Sequence, residues 1–170
     1  LGASAAAISL VLGVALFLDA ICDPLVGAFS DQVKSRLGRR HPLMYAASIP
    51  MGVFICLLFT PPQGLSATSL IIWLAFFLIM TRITFTFFSV PWSALIAEFS
   101  DDYEQRTVIA SYRTLIGPLL GGISSTLILT FIFIGTPDIP KGQENLENYN
   151  LFGPLIGSLM TGWALLSTHF

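Results

Sequence analysis

Residues 5–30 read AAAISLVLGVALFLDAICDPLVGAFS, and Asp19 and Asp23 are the only charged side chains among them. A helix that crosses a membrane needs roughly 20 mostly apolar residues. The run is long enough, and it lacks the in-out alternation of a barrel strand. It therefore reads as a transmembrane helix. Four similar segments follow, at about 43–60, 69–97, 107–135 and 152–168. Pro61-Pro62-Gln63-Gly64 supplies a turn between the second and third, and Thr136-Pro137-Asp138-Ile139-Pro140-Lys141-Gly142 opens a polar loop before the fifth. The expected fold is an all-α membrane protein in which residues 1–170 form a single transmembrane domain of five helices.

Composition agrees. The chain is 54% hydrophobic and 11% charged, with a mean hydropathy of +0.78. Soluble domains carry about 25% charged residues, so a water-soluble globule is excluded and the lipid bilayer is the expected surrounding. A net charge of −2 with no broad basic face excludes a nucleic-acid partner. Cys22 and Cys56 lie in apolar runs and form neither a disulfide framework nor a metal-ligand spacing. No nucleophile–base pair or phosphate-binding glycine loop is visible, so an enzyme is not expected and no cofactor is implied. The chain opens at Leu1 without the charged start and cleavage site of a signal peptide. A piece of a longer multi-pass protein of the plasma (inner) membrane is expected.

The loops set the orientation. Lys34, Arg36, Arg39 and Arg40 crowd loop 31–42, and Arg106 lies in loop 98–106, with Arg113 one to two turns further on. Loop 61–68 has no Lys or Arg and loop 136–151 has only Lys141. The excess of basic residues on the cytoplasmic side places loops 31–42 and 98–106 inside.

An ionisable residue within a span costs about 2.5–3.5 kcal/mol on insertion scales and points to function by default. Asp19 and Asp23 stand at i and i+4, on one helix face. Counted from Ser30, they lie about 16 Å and 10 Å deep. Two like charges this close call for a cation or a basic group between them. A hard cation such as sodium fits two carboxylates, and Pro24 frees the carbonyl of Ala20 as a further ligand. The alternative is that the acids pair with buried arginines and hold helices together. Arg82, inside the third span near Thr84 and Thr86, and Arg113, about 10 Å into the fourth, are each a substrate ligand or such a counter-charge. Pro91-Trp92-Ser93 combines a backbone break with an aromatic plate that can stack on a sugar or serve packing alone. Gly117, Gly121, Ser124 and Ser125 give the fourth span a small-residue side, the pattern of close helix packing.

These residues form two recognisable blocks. The first is Asp19-Ala20-Ile21-Cys22-Asp23-Pro24-Leu25-Val26-Gly27, then Ser30-Asp31, then Arg36-Leu37-Gly38-Arg39-Arg40-His41-Pro42. The second is Val90-Pro91-Trp92-Ser93-Ala94-Leu95 with Glu98, followed by Asp101-Asp102-Tyr103-Glu104-Gln105-Arg106 and Ser111-Tyr112-Arg113. Together they closely resemble the glycoside–pentoside–hexuronide:cation symporter family of the major facilitator superfamily. The resemblance implies that the five spans are helices two to six of a twelve-helix transporter whose first helix and C-terminal half lie outside this sequence. That missing half is then a partner of this one.

The resemblance also implies roles. Asp19 and Asp23 match the two helix-two acids of the cation site in the family's best-known sugar permease, and Thr86 matches a helix-four threonine there. Ser89 stands where that permease has an acid that contacts both cation and sugar, which removes one possible cation ligand. Ser93 falls at a sugar-stacking tryptophan, with Trp92 one position earlier, and Arg113 matches a helix-five arginine near the sugar. A cation site of Asp19, Asp23 and Thr86, with sodium held by the two acids, and a substrate site of Asp19, Ser89, Trp92, Ser93 and Arg113 are therefore expected. Gly27, Asp31, Arg36, Gly38, Arg39 and Arg40 resemble the superfamily's cytoplasmic gating loop. The expected activity is symport of a sugar or glycoside, driven by sodium or protons, by alternating access. Two rivals stay open: a cation-coupled lysolipid carrier, and a membrane scaffold or sensor that does not transport.

Overall fold

The computed structural model describes residues 5–33, 35, 38–96, 103–135 and 141–169. Arg36, Glu98, Asp101 and Asp102 lie outside the described residues, as do the side chains of Arg106 and Arg113. Five helices account for nearly all the rest: α1 (Ala5–Gln32), α2 (His41–Phe59), α3 (Ala67–Ile96), α4 (Tyr103–Phe131) and α5 (Leu146–His169), with a single 3-10 turn at Gly142–Glu144. At 1.5 Å per residue, the 19 residues of α2 span about 28 Å, close to the hydrocarbon thickness of a bilayer. All five are long and apolar enough to cross one. No strand occurs among the described residues.

The helix interiors match the apolar segments, and the differences lie at the ends. The fifth helix starts at Leu146 rather than near 152. The polar run Glu147-Asn148-Tyr149-Asn150 reads as loop by hydropathy, but the Asn145 side-chain oxygen accepts a hydrogen bond from the Glu147 N–H (3.0 Å), which caps the first turn and lets the helix begin there. The fourth stops at Phe131 rather than 135, where the N–H groups of Ile132 and Phe133 both turn back to the Ile128 carbonyl. The proline in each span leaves its helix continuous. The backbone break expected at Pro91 is absent: Pro91 is buried, and α3 runs on to Ile96.

The chain divides into two compact units. The first comprises α1, α2, α3 as far as Trp92, and α5 from Gly153; the second is Ser93–Phe152. In the first unit α2 is the central post, with Met44, Ala47, Ser48, Met51, Gly52 and Ile55 all buried. It meets α3 antiparallel across the short loop, where the Trp73 indole N–H donates to the Leu57 carbonyl (2.9 Å) and Phe54 and Trp73 both flank Phe77.

The contact between α2 and α5 is closer still. Ser48, Gly52 and Cys56 recur every fourth residue along α2 and face Thr161, Gly157 and Gly153 along α5. A Cβ built at Gly157 would lie 2.5 Å from the Gly52 carbonyl oxygen, and one at Gly153 would lie 3.1 Å from the Cys56 carbonyl. The Thr161 hydroxyl donates to the Ser48 carbonyl (3.3 Å) and to that of Gly157 (2.9 Å). Backbones touch because small residues leave room, the usual device where apolar burial cannot drive helices together in lipid. Met51, Ile55 and Ala164 form a dry core beside the seam, with Phe59, Phe88, Ile156 and Met160 packed on it.

In the second unit, Phe133, Tyr149 and Phe152 cluster edge-to-face and tilted, and Asn148 donates to the carbonyls of Gly142 (2.8 Å) and Ile134 (3.3 Å). The small-residue side of α4 packs on nothing among the described residues. No atom lies within 4 Å of a Cβ built at Gly117 or Gly121, and the Ser125 hydroxyl turns back to the Gly122 carbonyl.

Candidate functional site

The first unit places α1 and α3 side by side and parallel. Two contacts fix their register. Arg82 Nη1 donates to Asp19 Oδ2 at 3.0 Å, and a Cβ built at Gly27 would lie 3.7 Å from Val90 Cγ1. Arg82 is 63 residues beyond Asp19, and Val90 is equally far beyond Gly27. The same offset sets Thr86 level with Asp23, midway between the two contacts. Helical geometry explains the regularity. Asp19, Asp23 and Gly27 repeat every four residues on α1, as Arg82, Thr86 and Val90 do on α3, so each set lines one face.

The charges along this seam are unequal. Asp19 is answered by Arg82, with both side chains partly covered, at 22% and 40% exposed. Asp23 is exposed and has no ionic or hydrogen-bonding partner among the described residues. Thr86 is 3% exposed and lies on the α3 face that meets α1. Thr84, two residues earlier, bonds back to the carbonyls of Met80 and Thr81, and among the described residues of α3 the buried side-chain oxygen without a partner is Thr81 Oγ1. A carboxylate without a partner among the described residues, level with a threonine, suits a hard cation that seeks oxygen ligands. Among the described residues no cluster of three His, Cys, Asp or Glu side chains is gathered for a transition metal.

Ser89 and Ser93 continue the Arg82–Thr86 stripe of α3 towards its C-terminal end, and Trp92 flanks it; all three are half-buried. Arg113 lies on α4 in the second unit, so its position relative to this seam is not described. Beyond the C-terminal end of α1, Arg40 Nη2 pairs with Asp31 Oδ1 at 3.4 Å, the arginine side chain 14% and the aspartate 64% exposed. Gly38 adopts a left-handed φ of +94°, which a side chain would strain, and Arg39 is exposed. Arg40 thus ties the loop back to α1.

Two features here escape a reading of the residues alone. Arg82 was one of two candidate counter-charges, and depth does not say which acid it meets; the structure selects Asp19. The second is the Gly52–Gly157 contact, whose signal is the paired four-residue spacing of small residues on α2 and α5.

A family model described as MFS/sugar transport protein matches residues 1–170. The chain belongs to that family. It is a multi-pass integral membrane protein, and the five helices are its spans. Among relatives, it is 31% identical to the uncharacterized symporter sll1374 of Synechocystis sp., over 84% of this chain and 27% of that protein. It is 36% identical to the sodium-dependent lysophosphatidylcholine symporter 1 of Xenopus tropicalis, over 83% of this chain and 26% of that one. It is 26% identical to the isoprimeverose transporter of Lactiplantibacillus pentosus, over 77% and 27%. The chain spans about a quarter of the length of these relatives.

Proposed function

We propose that this chain is part of a secondary active transporter that couples a sodium ion or proton to the uptake of a sugar or glycoside by alternating access. The observation that carries the reading is the α1–α3 seam, where Asp23, without a partner among the described residues, and the buried residue Thr86 stand level with each other one turn beyond the Asp19–Arg82 pair. Asp23 and Thr86 would hold the cation, with Asp19 beside them. Ser89, Trp92, Ser93 and Arg113 would line the substrate path, and the Asp31–Arg40 pair, with Gly27, Arg36, Gly38 and Arg39, would close the cytoplasmic side in one access state. The cation is cargo rather than a resident cofactor. Matched symporters and a family described by sugar transport support the class, and no enzymatic step is needed. The plasma or inner membrane is the setting in which an ion gradient can drive such uptake.

A second reading has its own support. The relative with 36% identity is named for lysophosphatidylcholine, so an amphipathic lipid is the alternative substrate. Both are tested in one preparation, the full-length protein in proteoliposomes under an imposed sodium or proton gradient, offered a panel of labelled glycosides and labelled lysophosphatidylcholine. Cation-dependent accumulation of a glycoside supports the proposal, and accumulation of the lipid alone replaces it with the second reading. Asp23→Asn should abolish gradient-driven accumulation while leaving exchange. If Asp19→Asn and Asp23→Asn both concentrate substrate as the wild type does, the cation site lies elsewhere.

A further inference from the structure

The seam carries a charge count as well as a geometry. Asp19 and Asp23 contribute two carboxylates, and Arg82 brings one guanidinium. Arg82 already sits on Asp19, at 3.0 Å, so one negative charge remains, on a carboxylate with no described partner. A membrane interior penalises net charge strongly, and a single monovalent cation brings the seam to neutrality.

We propose that Arg82 is a tethered counter-cation that fills one of the two carboxylates, so that the α1–α3 site takes one monovalent cation, at Asp23. This rests on the cation-coupled reading and assigns the stoichiometry of that same site. Arg82 is therefore a positioning and counting residue. It contacts Asp19 rather than the transported ion, and it decides how many ions the acid pair can accept. Thr86 suits the free position because it lies one turn beyond Arg82 on the same face, beside the acid that the guanidinium leaves open.

The inference has a distinctive pattern of consequences, because removing a negative and a positive partner moves the count in opposite directions. With Arg82→Gln both carboxylates are open, so the site should bind two ions. With Asp19→Asn the guanidinium has only Asp23 to neutralise, one turn or about 6 Å along the same face, and the site should bind none. The double variant Asp19→Asn with Arg82→Gln restores the wild-type count of one. Arg82→Lys keeps the charge and should also bind one.

The test is equilibrium binding of radiolabelled sodium to the purified full-length protein in detergent, normalised to monodisperse protein, so that it reads ions per molecule and not transport. The expected series is about one for the wild type, two for Arg82→Gln, none for Asp19→Asn and one for the double variant. Should Arg82→Gln fail to fold, the loss in Asp19→Asn and its recovery in the double variant still decide the matter. Sodium binding in Asp19→Asn equal to the wild type overturns the proposal, as does a folded Arg82→Gln that binds one ion. A wild type that binds no sodium also overturns it. If that protein still accumulates substrate on a proton gradient, the transport reading survives the failure; without accumulation on either gradient, both fall.

Discussion

Gly52→Ala adds one methyl group where α2 and α5 touch through their backbones. The new Cβ would lie 2.5 Å from the Gly157 carbonyl oxygen and against the Thr161 side chain, while ordinary van der Waals contact starts near 3.4 Å. The helices must part by about 1 Å locally, and a gap of that size already forfeits a quarter to a half of the dispersion energy of each contact it opens. Those contacts include Met51, Ile55 and Ala164, and the 3.3 Å bond from Thr161 to the Ser48 carbonyl. Overpacking of this kind costs about 1–3 kcal/mol. Alanine returns about 0.5–1 kcal/mol through its lower backbone entropy in a helix, so a net loss centred on about 1 kcal/mol and no larger than about 2.5 kcal/mol is expected. Gly157→Ala makes the reciprocal clash with the Gly52 carbonyl at 2.5 Å. The double variant should lose less than the sum of the two, because the first methyl has already opened the seam. Thermal unfolding of the full-length protein in detergent, followed by size-exclusion profile, measures all three. A Gly52→Ala protein as stable as the wild type, or strict additivity in the double variant, would refute backbone contact at this crossing.

Asp31→Ala removes the partner of Arg40 at a site where the acid is 64% exposed. Stability should change by less than about 1 kcal/mol, yet cysteine labelling from each side should shift towards the inward-open form; unchanged accessibility counts against a gating role. Trp73→Phe keeps the ring against Phe77 but deletes the indole donor to the Leu57 carbonyl. A loss of about 1 kcal/mol is expected, and a melting temperature equal to that of the wild type would show that the bond contributes nothing. Asn145→Ala removes the acceptor for the Glu147 N–H and should fray the first turn of α5, seen as faster amide exchange at 146–149 with the rest of the helix unchanged; equal protection there argues against the cap.

The five spans were legible because an apolar run of roughly 20 residues has few other places to go. Their ends were less so, because hydropathy sees Glu147 and Asn148 as loop while a single asparagine cap is enough to make them helix. The spacing of Asp19 and Asp23 along one face of their helix follows from counting residues. Rotation about the helix axis could not be counted, so the choice between Asp19 and Asp23 as the partner of Arg82 needed the α1–α3 register. Small residues raised the same difficulty. Gly117 and Gly121 on α4 look as suited to a close crossing as Gly52 and Gly157, and it takes the fold to show that the latter two meet.

The seam between α2 and α5 joins residues 113 apart in the chain, as the bond from Thr161 to Ser48 shows. At about 5–20 residues per second of synthesis, roughly 6–23 s separate the emergence of Ser48 from that of Thr161. Throughout that interval the glycine face of α2 is without the α5 face it meets in the fold. Its contact with α3, through Trp73 and Phe77, can form first, and the α2–α5 seam can lock only when α5 arrives. A nascent chain stalled before residue 153 would present the same small-residue groove to whatever helix, its own or a stranger's, happens to be adjacent in the bilayer.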